Sequence, residues 1–358
     1  MKKTAIIPFT IKRSPIEKLL LVNFEKDPDK LYTGLELQFI NGDPNGKGYR
    51  VIAYRIDGYV DVYDSESLTN LPDESFAVAG KGMAEHKRVT MKNTRFTYHE
   101  HKLTASFEFL DKLDRKIMVH IAEHTNNKSN PIDLLAPIGV SSISPDHFPV
   151  YFLYDFDFVR RKNTMIHISI DEQIRKPDLF PVPIPKDFLS RYFTRFSMDS
   201  QLFEFAPNGR WDLTLITLND KNQAKLGPLT YSFTRIGTDN HLATISYHEK
   251  NNHLTTVFSP ALPDLTHLIE NNTYTGSLRI SNTPAIGKIS GHYSVKLTGS
   301  RVTLTITFDD GWIVNPTSLL TKFMLNRKST FCTWPKSYEY RQVIDLEELI
   351  AMGKWTRK

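Results

Sequence analysis

Residues 49–63 decide the fold class of this chain. They read Tyr49-Arg50-Val51-Ile52-Ala53-Tyr54-Arg55-Ile56, then Asp57-Gly58, then Tyr59-Val60-Asp61-Val62-Tyr63. Apolar and polar residues alternate in both runs, as they do in a strand whose side chains point to opposite faces in turn. An Asp-Gly pair between two such runs favours a type I′ turn. The stretch therefore predicts a β-hairpin.

The same period of two recurs along the chain on both sides of this hairpin. Further strands are predicted at 95–98, 103–109, 116–123, 150–158, 165–170, 192–196, 201–205, 211–216, 231–236, 242–247, 293–297 and 302–308. The 22 Phe and 15 Tyr, with many Thr, Val and Ile, suit the half-buried surface of a sheet. Short strands with frequent turn signals indicate an all-β protein built as a sandwich or a barrel.

Two short helices are predicted beside these strands. Thr317–Leu325 follows Pro316, which suits the first position of a helix. Leu346–Met352 follows Asp345, which is placed to cap it. Twenty Pro and 17 Gly leave little room for longer helices.

The length of 358 residues predicts two domains. The natural boundary is a connector at about residues 176–190, which contains Pro177, Pro181, Pro183 and Pro185. Proline has no N–H to donate, so this segment is unsuited to a central strand. We therefore expect an N-terminal β-domain at 1–180 and a C-terminal β-domain at 181–358.

Charge and cysteine content limit the partners and the location. The net charge of +5 is small for this length, and no module of basic and aromatic residues accompanies it, so we expect no nucleic-acid partner. Cys332 is the one cysteine, which excludes an internal disulfide. The sequence has no apolar run of about 18 residues, so no membrane span is expected. These features predict a cytoplasmic protein whose oligomeric state stays open.

Familiar catalytic motifs are missing from the sequence. It has no Gly-x-Ser-x-Gly elbow, phosphate loop or dinucleotide fingerprint, so no cofactor is predicted. His99 and His101 would share one face of a strand, but a zinc site needs three or four ligands. We therefore predict no metal site.

Asp155 and Asp157 are the candidate catalytic residues. Aspartate is disfavoured in strands, and two of them in 150–158 invite an explanation. Alternation places both on one face, opposite a face formed by Phe152, Tyr154, Phe156 and Phe158. In a pocket this carboxylate pair could share a proton or polarise a ligand. On a solvated face the pair would be structural, with Arg160 or Arg161 as its partner.

The strand Gly291-His292-Tyr293-Ser294-Val295, the chain length and the two strand-rich halves carry a family resemblance. The sequence resembles tandem lipocalin-like (calycin) proteins of the AttH and hydroxyneurosporene synthase (carotenoid hydratase) type. The resemblance implies two β-barrels that meet across a pocket for a hydrophobic molecule. Members of the group include both binding proteins and enzymes that act on isoprenoid-like substrates.

The sequence leaves four functions open. The first is a binding protein for a small hydrophobic ligand, because aromatic residues are abundant. The second is an enzyme that hydrates, isomerises or cyclises an isoprenoid-like substrate, with Asp155 and Asp157 as acid and base. In both, Tyr154 and Trp211 are the predicted ligand-binding residues. The third is a carbohydrate-binding or carbohydrate-active β-sandwich, and the fourth is an interaction module without a small ligand.

Overall fold

The computed structural model describes residues 4–42, 46–74, 76–125, 129–137, 145–180, 190–316, 319–326 and 334–357. Strands form most of this part of the chain, which confirms the all-β prediction. Among these residues one α-helix, α1 (Leu319–Leu325), lies within the first predicted helix, and a 3-10 helix covers Pro335–Ser337. Cys332 and residues 181–189 of the proline-rich connector lie outside the described residues.

Strands follow one another along the whole described chain. The first fifteen are β1 (Thr4–Ile7), β2 (Ile11–Ser14), β3 (Ile16–Asn23), β4 (Tyr32–Gly42), β5 (Gly46–Arg55), β6 (Val60–Ser65), β7 (Ala77–Val78), β8 (Lys81–Val89), β9 (Lys92–His99), β10 (Lys102–Leu110), β11 (Lys116–Glu123), β12 (Ile132–Leu135), β13 (Phe148–Arg160), β14 (Thr164–Ile170) and β15 (Gln173–Arg175). The others are β16 (Arg191–Ser197), β17 (Asp199–Phe205), β18 (Gly209–Asp212), β19 (Thr214–Thr217), β20 (Gln223–Leu226), β21 (Leu229–Ile236), β22 (Asp239–Glu249), β23 (Asn252–Leu262), β24 (Thr273–Ser281), β25 (Lys288–Thr298), β26 (Arg301–Ile313), β27 (Tyr338–Asp345) and β28 (Ile350–Arg357).

The chain divides into two compact units, each assembled from separate stretches. Unit 1 contains residues 1–14, 135–151 and 202–358, and unit 2 contains residues 15–134 and 152–201. These stretches interleave along the sequence, unlike the continuous domains 1–180 and 181–358. A domain boundary in the proline-rich connector stays a prediction.

Unit 2 contains two sheets around one apolar cluster. Within this unit, one sheet has the order β13-β16-β3-β4-β5-β6-β8-β7, and the other has the order β15-β14-β11-β10-β9. Alternate residues of both sheets meet in the cluster, including Leu37, Val51, Phe107, Val119 and Ile168. All of these pairings are antiparallel except that of β6 with β8, which is parallel. Burial of the alternating apolar face is what holds the two sheets together.

The hairpin of 49–63 forms as predicted, but its turn differs from the prediction. The N–H of Gly58 donates to the Arg55 carbonyl at 3.3 Å, and the N–H of Arg55 donates to the Tyr59 carbonyl at 3.0 Å. Gly58 has a φ of 89°, whereas Asp57 is not in the left-handed region. This pattern is a three-residue loop closed by a left-handed glycine, because a type I′ turn requires positive φ at both central residues.

Unit 1 is dominated by a ten-stranded antiparallel sheet. Its order is β18-β28-β27-β26-β25-β24-β23-β22-β21-β20. The sheet curls, and aromatic rings on its inner face pack against Phe9 and Phe148, while Phe9 also contacts Phe205. The rings of Trp355 and Tyr340 lie 4.8 Å apart in this core. The outer face of the same strands carries the alternate, mostly polar residues.

The predicted helix Leu346–Met352 is wrong. Residues from Ile350 onward form β28, which pairs with β27 from Asp345↔Ile350 to Tyr338↔Arg357. The Asp345 carboxylate does accept the N–H groups of Glu347 and Glu348, each at 3.1 Å. Those bonds fix a tight turn between two strands, because pairing in the sheet outweighs the local helix signal.

A stability test follows from the close packing at Gly353. A Cβ at this position would lie 2.8 Å from Trp211 Cη2 and closer still to the hydroxyl of buried Tyr340. We expect Gly353→Ala to lower the free energy of unfolding by about 1–3 kcal/mol through overpacking. Gly82→Ala is the control, because its Cβ would have only Tyr59 Cδ1 nearby, at 3.9 Å. Equal stability of the two variants in urea unfolding would contradict this packing.

Candidate functional site

Strand β13 does not keep the regular alternation that was expected around its two aspartates. Asp155 has a φ of 48°, which turns the chain out of the extended conformation at this residue. As a result Asp155 is exposed, while Asp157 is 7% exposed. The N–H of Asp155 donates to Asp133 Oδ1 at 3.2 Å. The two carboxyl groups therefore occupy different environments. A shared catalytic role for them stays a prediction.

Asp157 is held by an ion pair inside unit 2. Its carboxylate accepts the N–H of Phe158 at 2.8 Å and a bond from the Arg191 guanidinium. Burial raises the pKa of Asp157, and the charge of Arg191 acts in the opposite direction. Groups with perturbed pKa values mark both catalytic sites and structural ion pairs. The close pairing with Arg191 gives Asp157 the features of a structural ion pair.

A second buried carboxylate near Asp157 is also fully engaged. Glu123 accepts the Leu103 N–H at 2.9 Å and the Arg160 N–H at 2.8 Å. Its carboxylate also lies 2.7 Å from Arg160 Nη2. Arg160 was predicted as a partner of the aspartates, but its guanidinium binds Glu123. These contacts tie β10, β11 and β13 together.

The two predicted ligand-binding residues belong to different units. Tyr154 in unit 2 is half-buried, and its carbonyl accepts the Ser197 hydroxyl at 2.7 Å. Trp211 in unit 1 lies on β18 opposite Ala351 of β28 and is also half-buried. A shared role for them in one ligand site stays a prediction.

A groove on the outer face of the ten-stranded sheet of unit 1 was not predicted from the sequence. Its volume is about 510 Å³, and we call it the hydroxyl groove. Strands β23 to β26 form it. Its lining residues are serines and threonines, together with one glycine, one histidine and one tyrosine. They are Ser259, Thr275, Gly276, Ser277, His292, Tyr293, Ser294, Thr305 and Thr307.

Strand register explains why these side chains come together. Ser277, His292 and Thr307 are direct cross-strand neighbours, and they form the first polar row. Thr275, Ser294 and Thr305 form the second polar row in the same way. Neighbouring strands lie about 4.8 Å apart, and residues two apart on a strand share a face. The groove is therefore a regular grid of hydroxyl groups with one imidazole.

Several groups in the groove are fixed by hydrogen bonds, and others are available. Ser294 Oγ and Thr305 Oγ1 lie 2.6 Å apart, and Ser277 Oγ donates to the Ser259 carbonyl at 3.0 Å. Thr275 and Thr307 form no side-chain hydrogen bond within the part of the chain that the structure describes. Hydroxyl groups both donate and accept, so the groove can contact a ligand that has both kinds of polar group.

Polar groups at the floor and the rim of the groove are paired with other residues of the protein. Tyr293 is buried, and its hydroxyl donates to the Pro260 carbonyl at 2.7 Å. Burial raises the pKa of Tyr293 to about 12, so this hydroxyl stays protonated at neutral pH. At the rim, His292 Nε2 lies 3.1 Å from Asp309 Oδ2, and both side chains are exposed. The groove thus presents fixed polar groups on a sheet rather than on a loop.

A buried polar cluster lies on one sheet of unit 2. Glu36 accepts the Tyr54 hydroxyl at Oε2 and the Gln38 side-chain N–H at Oε1, each at 2.6 Å. Burial raises the pKa of Glu36, while these hydrogen bonds and the charge of Arg195 act to lower it. Burial also lowers the pKa of Arg195. The sequence analysis did not indicate this cluster, and its one member distant in the chain is Arg195 of β16.

Neither a metal centre nor a membrane-crossing helix is found in the part of the chain that the structure describes. Among the described residues, no group of three or more His, Cys, Asp and Glu side chains is arranged to hold a metal ion. His101 lies in the β9–β10 turn with a φ of 61°. Within those same residues, no helix has the length and apolar character needed to cross a bilayer.

Comparisons with known proteins give no relative. No family model, no curated protein and no solved structure matches this chain. The resemblance to tandem lipocalin-like proteins therefore stays a prediction.

The buried Glu36 makes a testable contribution to the pH dependence of stability. Its folded-state pKa is raised, so the folded state loses stability as the pH rises from the unfolded-state pKa of about 4.3 through the folded value. Glu36→Gln removes this loss, and the stability of the variant relative to wild type should increase with pH above about 4. Gln38 can turn its Oε1, which has no partner among the described residues, towards the new amide.

Urea unfolding between pH 4 and pH 8 measures this effect. Glu347→Gln is the matched control, because Glu347 is exposed. A difference between wild type and Glu36→Gln that does not change with pH would contradict a raised pKa at Glu36.

Proposed function

We propose that this protein binds a hydroxyl-rich small ligand, a carbohydrate, in the hydroxyl groove of unit 1. The observation that carries the proposal is the composition of the groove, in which two rows of side chains offer hydroxyl groups and one imidazole to solvent. Sugar hydroxyls both donate and accept hydrogen bonds, and so do Ser and Thr hydroxyls. A sugar can thus replace the water that these rows bind.

The size of the groove supports a small ligand. Its volume of about 510 Å³ lies within the range of roughly 300–1,000 Å³ found for small-molecule sites. Each hydrogen bond contributes only about 0.5–1.5 kcal/mol net. Several together give modest affinity, as expected for an open groove without a deep cavity.

The polar lining of the groove favours this function over the hydrophobic ligand that the sequence led us to expect. Sites for apolar ligands are lined mainly by apolar and aromatic side chains, whereas Tyr293, the aromatic ring among the described lining residues, is buried beneath the groove. Binding of an apolar molecule elsewhere in the chain stays a prediction. Enzymatic action on an isoprenoid-like substrate also stays a prediction. The ion pair between Asp157 and Arg191 does not favour it, because it occupies one of the two candidate catalytic carboxylates.

The central test removes one hydroxyl group from the groove. Thr305 Oγ1 is paired with Ser294 Oγ, but a hydroxyl has one donor and two acceptor positions, so it can also contact a ligand. We expect Thr305→Val to weaken carbohydrate binding roughly 2- to 12-fold, the equivalent of one hydrogen bond. Thr303→Val is the matched control, because Thr303 lies two residues away on the same face of β26 and does not line the groove. Saturation-transfer NMR against a panel of oligosaccharides identifies a ligand, and titration calorimetry measures both variants.

Two outcomes would overturn the proposed function. One is that no oligosaccharide of the panel binds. The other is that Thr305→Val and Thr303→Val bind a sugar equally well. Native mass spectrometry of protein purified from its own host provides a separate check, because a retained lipid or isoprenoid would favour the hydrophobic-ligand hypothesis.

A further inference from the structure

Four basic side chains surround the hydroxyl groove on the same outer face of the sheet. Arg279 lies two residues from Ser277 on β24, and Lys296 lies two residues from Ser294 on β25. Arg341 is the cross-strand neighbour of Thr305, and Lys354 is the neighbour of Arg341. We call Arg279, Lys296, Arg341 and Lys354 the basic frame. All four side chains are exposed.

Three members of the basic frame, Arg279, Lys296 and Arg341, lie one position along or across the sheet from a groove hydroxyl, and Lys354 lies one strand further out. Residues two apart on a strand are about 7 Å apart, and cross-strand neighbours are about 5 Å apart. Lysine and arginine side chains are long enough to span such distances. A ligand seated on the two polar rows is therefore within reach of a cation on three sides.

The basic frame is not neutralised by the protein. None of its four side chains forms an ion pair or a side-chain hydrogen bond with another described residue. Acidic groups on this face include Glu339, the cross-strand neighbour of Thr307, and Asp309, which is engaged by His292 at the rim. Asp345 lies on the same face of β27 and is 3.7 Å from Arg301. The basic frame together with Arg301 outnumbers these three acids, so the surface beside the groove carries excess positive charge, which attracts anions.

We propose that the ligand of the hydroxyl groove is an acidic carbohydrate, whose sugar hydroxyls contact the polar rows while its anionic groups contact the basic frame. This inference rests on the proposed function and specifies the class of carbohydrate. Arginine and lysine both bind carboxylate, sulfate and phosphate groups, arginine in a bidentate manner. Single-stranded nucleic acid is the less favoured polyanion, because it requires exposed aromatic rings for base stacking, and the groove's tyrosine is buried.

The test compares two ligands that differ only in charge. Oligogalacturonate carries a carboxylate on every sugar, and its methyl-esterified form is neutral. We expect wild-type protein to bind oligogalacturonate about 5-fold more tightly at 0.1 M salt, the upper value for one exposed ion pair. The preference should shrink at 1 M salt, where the screening length falls from about 10 Å to about 3 Å.

A double variant assigns the preference to the basic frame. Arg341→Gln with Lys354→Gln should remove most of the preference for oligogalacturonate and leave binding of the methyl ester unchanged. Lys225→Gln is the control, because Lys225 is an exposed residue of β20 outside the groove. Circular dichroism of each variant checks that the sheet is intact.

The outcomes separate this inference from the proposed function. Equal binding of both ligands, with sensitivity to Thr305→Val, overturns the acidic class and keeps the carbohydrate site. Binding of neither ligand at any salt concentration overturns the acidic class, and failure of the wider neutral panel as well overturns the carbohydrate site. Tighter binding of a single-stranded oligonucleotide, insensitive to Thr305→Val, overturns both.

Discussion

Packing of aromatic rings on the inner face of the ten-stranded sheet is the constraint on which the rest of unit 1 depends. Trp355 lies 4.8 Å from Tyr340 and 5.1 Å from Phe148 between ring centres, and its Nε1 donates to the Ala206 carbonyl at 2.7 Å. Aromatic pairs of this kind contribute about 0.5–1.5 kcal/mol beyond the burial of their surface. Because a strand alternates its faces, fixing Trp355 inward fixes Lys354 outward, and the same holds for every strand that contributes a ring. The hydroxyl groove and the basic frame are therefore consequences of how the core packs.

The sequence was informative where local pattern and tertiary pairing agree. The hairpin at 49–63 could be predicted because its alternation and its glycine both favour the same structure, and only the turn geometry differed. Leu346–Met352 was predicted as a helix because Asp345 resembles a cap, yet the residues from Ile350 onward pair with β27 instead. A single sequence contains no record of that partner, so the stronger interaction was invisible. Asp155 is a similar case, since alternation gives no sign that one residue in β13 adopts a positive φ.

The hydroxyl groove could not have been predicted, for a different reason. Its residues come from four strands, β23 to β26. They meet only in the observed register, because a one-residue shift of a strand would move its side chains to the opposite face of the sheet. The available signal was the run of Ser, Thr and His at alternate positions of β24, β25 and β26. In β25 and β26 that run was interpreted only as evidence for strands, and β24 was not predicted. Deriving a site from it requires the knowledge that Ser277, His292 and Thr307 stand side by side.

Polar groups whose hydrogen bonds are completed inside the protein differ in function from polar groups that face solvent without a protein partner. Asp64 is fully buried, and it accepts two bonds from Arg50, at 2.6 and 2.8 Å, and lies 3.1 Å from His86 Nε2. Burying a charge costs free energy, and removing one partner of a buried ion pair costs still more. The partners of Asp64 therefore keep its carboxylate in one conformation. Such a group contributes to the specificity of the fold but has little capacity left for a ligand. Thr275 and Thr307 present the opposite case, because their hydroxyls lie on a sheet and form no hydrogen bond with another described residue. A site that binds without rearranging the protein needs groups of this second kind, and it needs them held by a core that does not move.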